Sequence, residues 1–199
     1  MDAEICVTAA PKIRVLCVDD HVVVLRGLTA ILAEEPDIVV IATGGLPNAG
    51  RLKFGAELAT SPWDVLAGQV PVAPEVLIFD DHGGHEGLTL AEYAINLGAK
   101  VEYVTPERMI GVDVGGLNYP AYYKALYGAK SVVTLNHRLK GIRRDGNKLV
   151  AVLTNDYDKS ETERRTDQVI AEHGALPAAE VYFELKEQSP NRGGLGLGA

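Results

Sequence analysis

At 199 residues, with 47% hydrophobic and 23% charged side chains, the chain can bury one good core or two small ones and reads as a soluble globular protein. A formal net charge of −8 excludes an extended phosphate-binding surface, because nucleic-acid partners are held by clustered Lys and Arg; no nucleic-acid partner is expected. No apolar run reaches transmembrane length, and the N-terminus lacks the basic-then-apolar order of a signal peptide. No membrane partner is therefore expected, and the expected location is cytoplasmic.

In chain order, residues 1–12 carry little pattern. Residues 13–18 form an apolar strand candidate that ends in Asp19-Asp20-His21. Val23, Val24, Leu28, Ile31 and Leu32 then recur at helical spacing before Glu34-Glu35-Pro36, and residues 38–42 read as the next strand. Cys6 and Cys17 have neither metal-ligand spacing nor a CxxC pairing and are read as free buried thiols; an iron–sulfur cluster, which usually takes four thiolates, cannot be assembled from this chain alone. Residues 45–74 are rich in Gly, Pro and polar side chains and read as a crossover segment.

Residues 74–105 form a second and clearer βαβ unit. Residues 76–79 suit a strand buried on both faces. Leu90, Ala91, Ala94, Ile95 and Leu97 mark a helical stripe closed by Gly98, and residues 101–104 start the following strand. Beyond it, residues 119–127 read as a helix. Residues 131–142, 147–154 and 162–172 read as three strands of a meander, with Asp145-Gly146 as a hairpin turn, and residues 181–187 read as a helix. Arg138, Lys140, Arg143, Arg144 and Lys148 gather around that hairpin as a solvated charged edge. The fold class is α/β, with Rossmann-like parallel sheet units and an antiparallel β-meander.

The turn at residues 80–87, Asp-Asp-His-Gly-Gly-His-Glu-Gly, carries the chemistry. A GxGxxG dinucleotide fingerprint laid on it matches Gly84 and Gly87 and puts His82 at the first glycine position, with Gly83 between. Asp80 and Asp81 stand where a pyrophosphate would rest, and like charges a few ångström apart cost on the order of 1 to 4 kcal/mol. The helix N-terminus offsets ~1 kcal/mol of this. Thr89 and Glu92 form a capping-box pattern, and Glu107 is the candidate acidic partner for a ribose. The competing reading is a metal site built from Asp80, Asp81, His82, His85 and Glu86, although neighbouring turn residues often point apart. His21, His137 and His173 show no partner pattern. The first turn echoes the second, with Asp19 and Asp80 in equivalent places after a strand.

Two family resemblances add to this reading. KIRVLCVDDHVVVLRGLTAILAEEPDI, residues 12–38, resembles the opening of a response-regulator receiver domain, which implies Mg²⁺ held by Asp19 and Asp20. From residue 37 to about 192, VIATGG, TSPWDVL, VLIFDDHGGHEG, GGLNYPAYYKALY and VIAEHGALPAAEVYFELKE resemble the C-terminal part of old-yellow-enzyme-type NADH:flavin oxidoreductases. That group contains dienoyl-CoA reductases, trimethylamine dehydrogenases and N-demethylases of methylated amino acids. The resemblance implies a nucleotide ligand, FAD or NAD(P)H, assisting electron transfer. It places the cofactor contacts at Thr43, Gly44, Gly45, His82, Gly83, Gly84, Gly87 and Glu107, with no catalytic residue. It also implies a barrel-containing flavoprotein partner, since the FMN barrel and iron–sulfur site of the family are absent from this chain. The expected organisation is a receiver-like or flavin-domain-like βαβ segment (1–43), a crossover linker (44–74), a Rossmann-like nucleotide-binding domain (75–174), and a C-terminal helix with a flexible tail (175–199). The alternatives are a signalling module that binds Mg²⁺ through Asp19 and Asp20, and a non-catalytic interaction domain with a degenerate nucleotide site.

Overall fold

The apolar run at residues 76–79 becomes the middle strand of a five-stranded parallel sheet, buried on both faces as its unbroken hydrophobicity requires. A computed structural model describes residues 43–48 and 52–188. The chain divides into two compact units, Pro47–Leu176 and a second made of Met1–Leu46 with Pro177–Ala199. The receiver-like stretch with Asp19, Asp20 and His21, and the thiols Cys6 and Cys17, lie outside the described residues.

β1 (Gly45–Pro47) carries the chain into the larger unit. A 3-10 turn (Ala56–Leu58) then leads to β2 (Ala59–Thr60) and the short helix α1 (Pro62–Leu66), which Ser61 caps by accepting the Trp63 N–H. β3 (Glu75–Asp80), α2 (His85–Asn96) and β4 (Lys100–Val104) form the expected βαβ unit. α3 (Tyr119–Gly128) and β5 (Val132–Thr134) follow. β6 (His137–Asp145), β7 (Lys148–Asn155) and β8 (Glu161–Thr166) make the antiparallel meander, and β9 (Gln168–Glu172) returns to the parallel sheet. β10 (Ala175–Pro177) leads back out to α4 (Glu180–Leu185), close to the helix expected at 181–187.

The parallel sheet has the order β2-β9-β3-β4-β5. Alternate residues of its strands serve two cores, as the period of two dictates. Val76, Ile78, Val101, Tyr103 and Ile170 meet Leu88, Leu90, Ala91 and Ala94 of α2 and Leu126 of α3 on one face. Leu77, Phe79, Val104 and Val169 meet Leu139, Ile142, Leu149, Ala151 and Leu153 of the meander on the other. Each fully buried side chain of this size contributes roughly 1.5–3 kcal/mol, so the meander is a structural cover for the sheet.

Three expectations change. Residues 44–74 are no plain linker, because they supply β2, which pairs in parallel with β9, and α1, whose Val65 is buried. The strand expected at 131–142 is two strands in different sheets, since Asn136 adopts a left-handed φ of 57° that breaks the run. The strand expected at 162–172 also divides, at Asp167, whose N–H bonds to the Glu75 carbonyl and whose carboxylate pairs with Lys148. The Asp145-Gly146 hairpin forms as read, with Gly146 at φ 62° and Asp145 opposite Lys148. The basic residues around it pair with surface acids, Arg138 with half-buried Asp156, Lys140 with Glu161 and Arg143 with Glu163, which makes a charged solvated edge.

Segment 53–55 is held against the meander by bonds from Lys53 N–H to the Lys140 carbonyl and from Ile142 N–H to the Phe54 carbonyl. Gly55 has φ 70°, and a Cβ there would lie 1.9 Å from the Ile142 carbonyl oxygen. The left-handed backbone costs a side chain about 1–2 kcal/mol and overpacking about 1–3 kcal/mol. Gly55→Ala is therefore expected to lower the unfolding free energy by about 2–4 kcal/mol in urea denaturation. An unchanged midpoint would show that this contact does not constrain the fold.

Candidate functional site

The site is built at the carboxyl ends of β3, β4 and β9, where open α/β sheets take ligands. Parallel pairing in register places Asp80 beside Glu172 and Ile78 beside Tyr103. Asp80, Tyr103 and Glu172 therefore share the face covered by α2. All three are buried, at 1%, 0% and 2% exposure.

Asp80 ties the turn together. Its Oδ1 accepts the backbone N–H groups of His82 and Gly83, both at 2.8 Å, and its Oδ2 accepts the Tyr103 hydroxyl. Gly83 takes φ 78°, and a Cβ there would stand 2.5 Å from Val112 Cγ2. Its carbonyl accepts the Asp113 N–H at 3.1 Å, which fixes the turn against the loop after β4. At Gly87 a Cβ would lie 2.7 Å from Asp80 Oδ2 and 2.8 Å from the Tyr103 hydroxyl, so the helix rests directly on the buried carboxyl. This close approach of helix to strand is the role of the third glycine in a dinucleotide fingerprint.

α2 starts earlier than its sequence suggests. Gly84 is the N-cap and has no side chain to receive the first-turn amides, while Thr89 lies inside the helix. The expected Thr89/Glu92 capping box is thus corrected: the Thr89 hydroxyl bonds the Tyr122 hydroxyl at 3.0 Å instead. The same Tyr122 oxygen lies 3.1 Å from His85 Nδ1. Burial of Leu88, Leu90, Ala91 and Ala94 sets the start of the helix, because a later start would leave Leu88 out of the stripe.

Burial pushes the Asp80 carboxyl above its ordinary pKa, against the Tyr103 hydroxyl and the two amides that favour its charge. Burial likewise raises Glu172, opposed by the Gly174 N–H at 2.6 Å and reinforced by the Asp80 charge beside it. Tyr103 is driven well above the usual phenol value, first by burial and then by Asp80. The other sequence-derived positions are spread out. His82 is exposed, near the end of β9; a Cβ at Gly174 would stand 2.9 Å from its Nδ1. Glu107 lies beyond the end of β4, half-buried, and its N–H donates to the Thr105 hydroxyl at 3.2 Å. Thr43, Gly44 and Gly45 belong to the other unit, where the Thr43 hydroxyl donates to the Ala178 carbonyl and the Gly44 carbonyl accepts the Ala178 N–H.

The metal alternative does not assemble. Asp81 pairs with His173, His85 turns to Tyr122, and among the described residues no three His, Cys, Asp or Glu side chains converge. His137 is a structural residue, with Nδ1 bonded to the Leu135 carbonyl at 2.7 Å. What the sequence did not reveal is Glu172-His173 beside Asp80-Asp81. The signal was present, since both strands end in an acid, a histidine and a glycine, but the register that joins them is long-range.

A parallel sheet with helices on one face, a meander on the other and a glycine turn opening a helix defines a Rossmann-like α/β unit. No protein-family model matches the sequence. The chain is 43% identical over 164 residues to a probable N-methylproline demethylase of Rhizobium meliloti, a match covering 82% of this chain and 24% of that protein. It is 40% identical over 166 residues to an N,N-dimethylglycine/sarcosine dehydrogenase of Chromohalobacter salexigens, covering 80% and 24%. The structure resembles 6-hydroxypseudooxynicotine amine oxidase of Pseudomonas geniculata with a TM-score of 0.65 at 20% identity, over 82% of this chain and 25% of that one. Solved flavoprotein reductases share the same fold. The chain spans about a quarter of the length of the curated relatives it matches. Among the described residues, no helix is long and apolar enough to cross a membrane.

Because burial raises Asp80 and Glu172, their protonated forms are favoured in the folded state. Their contribution to stability is fully present below the unfolded carboxyl pKa and is lost as pH rises through the folded values. Asp80→Asn keeps an acceptor for the two amides and removes the titration. Its stability is expected to fall less than wild type between pH 4 and pH 8, read by thermal melting; a parallel pH profile would remove Asp80 as the source.

Proposed function

We propose that this chain is the nucleotide-binding portion of a flavin-dependent oxidoreductase that acts on N-methylated amines or amino acids, and that the turn at residues 80–87 receives the phosphates of FAD or NAD(P)H. Its uncapped, glycine-bounded helix N-terminus is the observation that carries this reading. The similarity to a demethylase and a dehydrogenase of N-methylated substrates supplies the reaction class. The flavin or nicotinamide, when bound, supplies the electron-pair chemistry. The larger flavoprotein context, a barrel-containing partner included, supplies the substrate site in this reading.

The helix start has room for a nucleotide's phosphate in this reading. Gly84 leaves the first-turn amides of α2 free of a side-chain cap, and Gly87 lets the helix sit low on the strand end. The amides of His82 and Gly83 are already taken by Asp80, which confines the anion to the helix start. The Asp80 oxygens are likewise engaged within the fold, by those two amides and by the Tyr103 hydroxyl. In this reading Thr105 and Glu107, at the end of β4, stand on the ribose side.

Titration of the full chain with ADP, NADH and FAD tests the reading, and saturable binding of at least one is expected. Gly84→Asp places a carboxylate at the N-cap, where Asp is at least as favourable to the helix as Gly. A Cβ there would stand 2.6 Å from Glu86 Oε2, so that side chain must swing away. The variant is expected to weaken ADP binding about tenfold or more, since its carboxylate takes the same amides and repels the anion, with folding checked by its melting temperature. Unchanged ADP affinity would move the phosphate site elsewhere. Absence of all binding would leave a non-catalytic interaction domain.

A further inference from the structure

His173 is built into the strand ends in a way that the turn chemistry does not use. Its side chain is only 3% exposed, and its Nδ1 lies 3.0 Å from Asp81 Oδ1. The ring packs edge-on against Phe79, with centroids 5.6 Å apart. Its second nitrogen, Nε2, is buried with no hydrogen-bond partner. The Asp81 carboxylate accepts from Nδ1, which leaves Nε2 as the ring nitrogen turned to a ligand. Buried polar atoms are nearly always bonded, and one that is not calls for a ligand or water.

Position supplies the second half of the argument. From β3 the chain goes through α2 to β4 and on to β5 on one side, while β9 lies on the other. The order therefore reverses between β9 and β3, and the crevice at such a switch point is where α/β sheets place ligands. Asp81 and His173 are the first residues beyond these two strands, joined by the Asp81 N–H bonding to the Glu172 carbonyl at 3.1 Å. Beside them is a cavity of about 40 Å³, lined by His173 and Glu172 with Asn48, Thr60 and Ser61. It has room for a hydroxyl or a water molecule and not for a ring.

We propose that the Asp81–His173 pair receives a ribose hydroxyl of the second nucleoside of a dinucleotide, the half on the β9 side of the pyrophosphate. The first nucleoside lies toward β4 and Glu107. His173 is thus a specificity residue that favours a dinucleotide over a mononucleotide, and Asp81 positions it. This rests on the nucleotide-binding reading above.

ADP and ADP-ribose, which differ by the second phosphate-linked ribose, separate the two halves in calorimetric titrations of the full chain. Wild type is expected to bind ADP-ribose about five- to tenfold more tightly than ADP, the gain of about one hydrogen bond. His173→Gln keeps a donor toward Asp81 and removes the second nitrogen. It should abolish that preference and leave ADP affinity within about twofold. Equal affinities of wild type for the two ligands, or a preference that survives His173→Gln, overturn the proposal while ADP binding keeps the nucleotide reading intact. Failure of wild type to bind either ligand removes both. The wild-type comparison stands even where the variant does not fold.

Discussion

Asp80 is a carboxyl held out of water between a strand, a helix and a turn, and the geometry around it follows from satisfying its oxygens. Oδ1 takes two turn amides and Oδ2 takes the Tyr103 hydroxyl. Both sets of bonds demand closeness: the turn must curl back at Gly83, and the helix must start without a side chain at Gly87. A buried carboxyl with one of these partners missing would carry its desolvation uncompensated, which explains why turn, strand β4 and helix α2 behave as one construction.

The sheet around it is shared between two covers. The helical face is a Rossmann-like packing of α2 and α3, whereas the opposite face is covered by the antiparallel meander. Both cores use alternate residues of the same strands, so β3 can be neither shifted nor shortened without exposing one of them. The switch in strand order between β9 and β3 then opens the crevice at the end where Asp80, Asp81, Glu172 and His173 gather. Chain connectivity, more than any motif, sets the location of the candidate site.

That site has a tension in its electrostatics. A helix N-terminus without a side-chain cap favours an anion, while two carboxyls at neighbouring strand ends oppose one. Asp80 spends its acceptor capacity on the turn and on Tyr103. The result is a nucleotide-type turn with fewer available amides than an all-glycine loop.

Local chemistry determined what could be read from the sequence alone. The run at 76–79 and the Asp145-Gly146 hairpin encode their structure within a few residues and form as read, while the α2 stripe buries Leu90, Ala91 and Ala94 but leaves Leu97 exposed beyond the helix end. Gly84 and Gly87 were legible as turn and helix-start glycines for the same reason. Tertiary structure decided the rest. Asn136 and Asp167 divide apparently continuous strands because their backbones are claimed by distant carbonyls of Glu107 and Glu75. β9 comes to lie beside β3 through parallel pairing, which leaves no local signature, and only that register brings His173 to Asp81 and Glu172 to Asp80.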